Sequence, residues 1–138
     1  ISTNPGAPTR PLGKIASGGE LSRISLAIQV VTANTGTVPS MVFDEVDVGI
    51  GGAVAEVVGK LLHTLAERAQ VLCVTHLAQV AAQGNQHLQV TKSSSDKAVE
   101  TTLARLEEEE KVQEIARMIG GVKITEQTLA HAREMLEN

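Results

Sequence analysis

The sequence predicts an α/β fold built on parallel strands. Two short apolar runs, residues 38–45 and 70–75, are continuous, as strands covered on both faces should be. Between them, Val54, Val57, Val58, Leu61, Leu62 and Leu65 recur at helical spacing, which makes strand, helix, strand the reading of the middle of the chain. The runs end in groups that carry chemistry, Asp44-Glu45 in the first and Thr75-His76 in the second. A β-hairpin and C-terminal helices complete the expected architecture.

Residues 1–13 hold Pro5, Gly6, Pro8, Pro11 and Gly13 and read as loop or extended chain, because each proline denies a backbone hydrogen bond. A helix follows. Leu21, Ile24, Ile28 and Val31 form its apolar stripe, Ser17 and Glu20 form a capping box, and Asn34-Thr35-Gly36 is a stop signal. Residues 38–45 are the first strand, and Val46 to Gly52 a glycine-rich loop. A helix runs from Ala53, and residues 70–75 form the second strand. A short helix from Leu77 to about Gln83 stops at Gly84-Asn85. Residues 86–92 and 98–106 read as a hairpin joined by Ser93 to Lys97. Glu107 to Glu110 opens a helix carried by Val112, Ile115, Ala116 and Ile119 and ended by Gly120-Gly121. That acidic run suits the positive end of a helix, with a partner site as the other reading. Thr125 caps a last helix to about Glu137, with Leu129, Ala132 and Leu136 inward.

At 138 residues the chain suits one domain, 1–138. Aromatic residues are 1%, so the core must be aliphatic. A net charge of −4 gives no strongly basic surface in the total, although a local patch is compatible with it. The single Cys73 sits in an apolar run and reads as a small buried hydrophobe; with no partner cysteine, the chain suits a reducing cytoplasm. No apolar run approaches the length of a membrane span, so no membrane partner is expected. The chain opens on Ile1 and reads as an excised piece of something longer.

The chemistry lies at three places. Ser17-Gly18-Gly19 opens a helix, where unpaired N–H groups and the macrodipole favour a phosphate and the glycines allow its close approach. Met41-Val42-Phe43-Asp44-Glu45 runs an apolar strand into two carboxylates, one suited to Mg²⁺ and the other to a water. Taken alone, the pair reads more readily as an acidic turn. His76, at the end of the neighbouring strand, could reach a γ-phosphate or hold the attacking water. His63, His87 and His131 have no such setting and read as surface or packing residues. Arg23, one turn into the first helix, reads either as a bridge to phosphate or Glu20 or as a surface arginine.

In this order and spacing, the motifs resemble the ATP-binding cassette superfamily. Ala16-Ser17-Gly18-Gly19-Glu20 looks like its signature motif, Met41 to Glu45 like Walker B with the catalytic glutamate, Val46 to Gly51 like the D-loop, and His76 like the switch histidine. Glu20 in place of glutamine and Asp44-Glu45-Val46-Asp47 resemble the SMC-like, chromosome-maintenance branch more than transporters. The resemblance implies a partial P-loop NTPase, the C-terminal half of an SMC-type head, whose N-terminal half and a second head are its partners. Two heads would enclose ATP and Mg²⁺ in a homodimer. Ser17, Gly18, Gly19 and Glu20 would contact the nucleotide in trans. Asp44 would hold the metal, Glu45 would activate water, and His76 would assist it. The D-loop positions would be Asp47, Gly49 and Gly51. The implied function is ATP binding and hydrolysis in recombinational repair of DNA double-strand breaks, in the nucleoid, with DNA bound by the full-length protein. A transporter-type ATPase half and a non-hydrolysing dimerisation fragment are the alternatives.

The chain departs from the superfamily twice. It contains no G-x-x-x-x-G-K-[ST], and neither Gly13-Lys14 nor Gly59-Lys60 fits that loop. The fragment alone is therefore expected to be inactive. Gly51 stands where the D-loop usually carries its Asp, leaving Asp47 as the candidate substitute.

Overall fold

A computed structural model describes residues 2, 6, 8–9, 11, 18–32, 38–95, 98–121 and 123–137. The chain forms two compact units, Ile1–Thr75 and His76–Asn138. The first contains α1 (Gly18–Thr32), β1 (Ser40–Phe43), α2 (Gly52–Ala66) and β2 (Gln70–Cys73). The second contains α3 (Ala78–Ala81), β3 (His87–Ser95), β4 (Ala98–Leu106), α4 (Glu108–Gly120) and α5 (Glu126–Glu137).

In the first unit β1 and β2 are parallel, in register from Ser40 opposite Gln70 to Phe43 opposite Cys73. α2 is the crossover between them and packs on β2 and on α1. Ala55, Val58, Leu62 and Leu65 of α2 are buried, as is Phe43. The strands were expected to be covered on both faces. Only one face is: Val42 is 69% exposed, and Leu72 and Val74 on the same side are also open. A single crossover helix can cover only one side of a two-stranded sheet, and this unit has nothing else to lay over Val42 and Leu72 among its described residues.

α1 corrects a second expectation. Its stripe was placed at Leu21, Ile24, Ile28 and Val31, yet Leu21, Ile28 and Val31 are exposed and Ile24 is half-buried. The inward face instead carries Leu26, 1% exposed, with Ser22 and Arg23 half-buried beside it. The helix is apolar on two sides, so periodicity alone does not choose between them. The face with Ser22 and Arg23 is the one whose polar groups meet carbonyl acceptors in the turn after β1, which the opposite face does not offer. The expected start at Ser17 and stop at Asn34-Thr35-Gly36 lie outside the described residues.

The second unit is a hairpin and a helical pair. β3 and β4 pair from His87 opposite Leu106 to Ser95 opposite Ala98. The hairpin was expected to turn over Ser93 to Lys97, but β3 runs three residues further, through the serines, while β4 spans Ala98–Leu106 as expected. Polar serines resemble a loop in sequence yet are compatible with a solvated strand. α4 starts with the capping box formed by Glu107 and Glu110, the latter accepting the Glu107 N–H at 2.8 Å. Thr125 starts α5, its hydroxyl accepting the Thr128 N–H at 3.2 Å. Ala78, Ala82, Val112, Ile115, Ala116 and Ala132 form the core, with Leu129 and Leu136 against it.

Two titratable groups tie this unit to pH. Burial pushes His87 below its usual 6.5, opposed by its contact with the Gly84 carbonyl at 3.1 Å. The Arg117 guanidinium, with Nε 2.8 Å from a carboxylate oxygen, holds Glu114 below its usual 4.5. Both groups bind protons less readily when folded, so both contribute stability above their unfolded values and lose it as pH falls through the folded ones. The stability of the unit should be level from pH 8 to 7, decline below 6.5 through His87, and decline again below 4.5 through Glu114. Denaturation midpoints read against pH test this. His87→Gln should remove the first decline and Glu114→Gln should reduce the second, to which Glu108, held down by Lys111, also contributes, whereas stability rising from pH 7 to 5 would contradict it.

Candidate functional site

The candidate site is built where β1 ends. Phe43 is the last residue in the ladder, although the Val74 N–H still donates to its carbonyl at 2.9 Å. Asp44 turns one carboxylate oxygen back to accept the Glu45 N–H at 2.9 Å. Glu45 then takes φ 58°, the only non-glycine residue with positive φ among those described. That conformation costs an L-residue roughly 1–2 kcal/mol and persists only where the surroundings impose it. The chain turns through 46–49, with the Val48 N–H on the Glu45 carbonyl at 3.2 Å and the Ile50 N–H on the Asp47 carbonyl at 3.3 Å.

α1 and the end of β2 impose this path. The Ser22 hydroxyl donates to the Asp44 carbonyl at 2.9 Å. Nη1 of Arg23 donates to the Val46 carbonyl at 3.3 Å and to the Val48 carbonyl at 2.7 Å. Asp47 is 2% exposed, and its Oδ2 accepts the Thr75 hydroxyl at 2.5 Å. Asp44 and Glu45 themselves face outward, side by side and exposed. The structure thus brings together Asp44, Glu45 and the loop to Gly51, and turns the Asp47 carboxylate inward.

The other expected site residues fall as follows. Gly18, Gly19 and Glu20 are the first described residues of α1, while Ser17 lies outside the described residues. Gly49 has φ 73°, which a side chain rarely adopts. Gly51 caps α2 with φ −171°, extended and with open space around it, so glycine is not demanded there and an Asp would fit. His76 opens the second unit and is exposed. It was placed at a strand end, but β2 stops at Cys73, because β1 has already left the ladder at Asp44. Sequence reasoning did not find the roles of Ser22 and Arg23. Their signal was two adjacent polar side chains one turn after Gly-Gly, flanked by the apolar Leu21 and Ile24.

Cys73 reports the electrostatics of the strand end. Burial, then the charges of Asp47 and Asp44, push its thiol up to about 11, so it stays protonated at neutral pH. The same local negative charge suits a cation. Among the described residues no three His, Cys, Asp or Glu side chains converge to hold one. Mg²⁺ at phosphate sites uses one or two carboxylates, with phosphate oxygens and waters completing its shell. A single exposed carboxylate at Asp44 fits that mode and does not fit a dedicated protein cage.

The strain at Glu45 yields a test independent of activity. Glu45→Gly should be more stable than Glu45→Ala by about 1 kcal/mol, because glycine adopts positive φ without penalty. Chemical denaturation of the two variants checks it, and equal stability, or a more stable alanine variant, would contradict the left-handed conformation.

No protein-family model matches the chain. It is similar to proteins described as DNA repair protein RecN: 57% identical over 136 residues to that of Vibrio cholerae, 56% over 137 to that of Xylella fastidiosa, and 47% over 137 to that of Bacillus subtilis. Each match covers 99% of this chain but only 24% or 25% of the relative, so the chain spans about a quarter of the length of the curated relatives it matches. A solved structure from work on ATP-driven dimerization and DNA-stimulated activation of SMC ATPases matches with a TM-score of 0.57. It covers 86% of this chain and 70% of its own, at 20% identity. That likeness shows the fold: short parallel strands with helices, a hairpin and C-terminal helices, as in part of an SMC-type head. The chain therefore matches, along nearly its whole length, a quarter-length segment of the DNA repair protein RecN.

Proposed function

We propose that this segment supplies the water-activating side of an SMC-like ATPase head and the surface that meets a second head. The phosphate-cradling loop would come from the rest of a RecN-like chain, since no G-x-x-x-x-G-K-[ST] occurs here. The observation that carries the reading is Glu45, an exposed carboxylate held in a strained turn at the carboxyl end of a parallel strand. Ligands of open α/β sheets bind at that end. Strain kept at such a place is a mark of function when neighbouring groups enforce it, as Ser22 and Arg23 do.

In this reading Glu45 accepts a proton from the attacking water and Asp44 would hold Mg²⁺. The motif resemblance gives His76 the task of holding the γ-phosphate or the water. Bound Mg²⁺ would neutralise charge developing on the phosphates. The N–H groups at Gly18 and Gly19, with Ser17 and Glu20 beside them, contact nucleotide held by the opposing head. The exposed apolar faces of β1, β2 and α1 dock against the N-terminal half of the same head. Hydrolysis would separate the heads and act on DNA in double-strand-break repair, in the cytoplasm at the nucleoid; the name shared by the matched relatives supports DNA repair. The transporter alternative would expect glutamine at position 20, where this chain has Glu.

Glu45→Gln in the full-length chain tests the proposal. Removing the base should lower turnover by about 10²-fold or more, leave ATP binding intact and accumulate an ATP-bound dimer visible by size-exclusion chromatography. Unchanged turnover would remove Glu45 from the catalytic role.

A further inference from the structure

We infer that Arg23 is a positioning residue for hydrolysis: it fixes the backbone on which Glu45 stands, and it does so from the helix whose first turn is proposed to contact the opposing nucleotide. The inference rests on the proposed role of Glu45 as the base. It adds a residue to which none of the matched motifs assigns a task.

The geometry is a bracket. Glu45 lies between two carbonyls, those of Asp44 and Val46. The first is held by Ser22 and the second by Arg23, adjacent residues of α1. The stronger Arg23 contact, 2.7 Å to Val48, holds the far side of the same turn. Asp47, between the two carbonyls that Arg23 grips, is anchored independently to Thr75. A left-handed residue released from such a bracket relaxes toward negative φ, and its side chain swings away with it.

The placement on α1 gives the bracket a second consequence. Gly18 and Arg23 are five residues apart on one helix, about 7.5 Å at helical rise. A helix this short moves as a rod. A contact that shifts its first turn therefore shifts the Asp44, Val46 and Val48 carbonyls, and Glu45 with them. Arg23 would link engagement of a second head to the alignment of the base in its own head. A lysine reproduces this only in part: one Arg23 nitrogen, Nη1, makes both contacts, and an ammonium could donate twice, but it sits on a flexible stem without the planar guanidinium that holds Nη1 in place.

The test is a double-mutant cycle in the full-length chain, with Arg23→Met, Arg23→Lys and Glu45→Gln, alone and combined. Arg23→Met should lower kcat by about tenfold or more, as misplacement of a catalytic group does, while KM for ATP and the affinity for a fluorescent ATP analogue change less than twofold. Arg23→Lys should recover part of the loss. In the Glu45→Gln background, Arg23→Met should cost nothing further, because it acts through a base already gone. Losses that multiply in the double variant, or a raised KM with kcat intact, would overturn the inference and leave the role of Glu45 standing. Wild-type turnover in Glu45→Gln would overturn the role of Glu45 and the inference together. If Arg23→Met does not fold, as judged by its melting transition, Arg23→Lys carries the same cycle, with the same non-additivity expected and the same additivity fatal.

Discussion

Three carbonyl oxygens in the turn after β1, those of Asp44, Val46 and Val48, accept hydrogen bonds from two adjacent side chains of α1. The arrangement of the first unit follows from this. A parallel strand that ends in two carboxylates gains nothing by burying them, so the chain must turn outward at once. It does so through a left-handed glutamate, a conformation that needs support from outside the turn. Ser22 and Arg23 give that support only if they face inward, which sets the rotation of α1 and leaves Leu21, Ile28 and Val31 outside. The Thr75 to Asp47 hydrogen bond closes the same turn against the end of β2. One acidic side chain is thereby buried and satisfied, while the two beside it are displayed.

The exposed apolar surface has the same origin. Val42 and Leu72 share the open face of the sheet, and Val31 of α1 is 81% exposed. In a complete domain such surface is normally covered. A chain that matches only a quarter of its relatives' length need not carry the cover itself. In our reading a second layer from the rest of a RecN-like chain covers this surface, and the phosphate-binding loop missing from the motifs belongs to that other part.

Much of this was legible in the sequence because the relevant signals are local. Asp44-Glu45 after an apolar run marks a strand end, and the Glu107–Glu110 capping box and the Thr125 cap start helices where they were placed. Val112, Ile115 and Ala116 are buried as their spacing demanded. What was misread depends on contacts distant in sequence. The rotation of α1 was decided by acceptors more than twenty residues away, which no periodicity within the helix records. The open face of β1 and β2 could not be told from a buried one, since an open apolar face and a covered one have the same composition. Ser93 to Ser95 looked like a loop because nothing in a run of serines signals that opposite residues will pair with it. The roles of Ser22 and Arg23 were hidden for the same reason: each is an ordinary polar side chain until the turn it grips is in view.

The central claim is that this segment holds the water-activating side of an ATP site and lacks its phosphate cradle. ATP turnover measured for the segment alone, and again after mixing with the remaining part of a RecN chain, tests it most directly. The account predicts no turnover by the segment alone and turnover on mixing. Hydrolysis by the segment alone would contradict it.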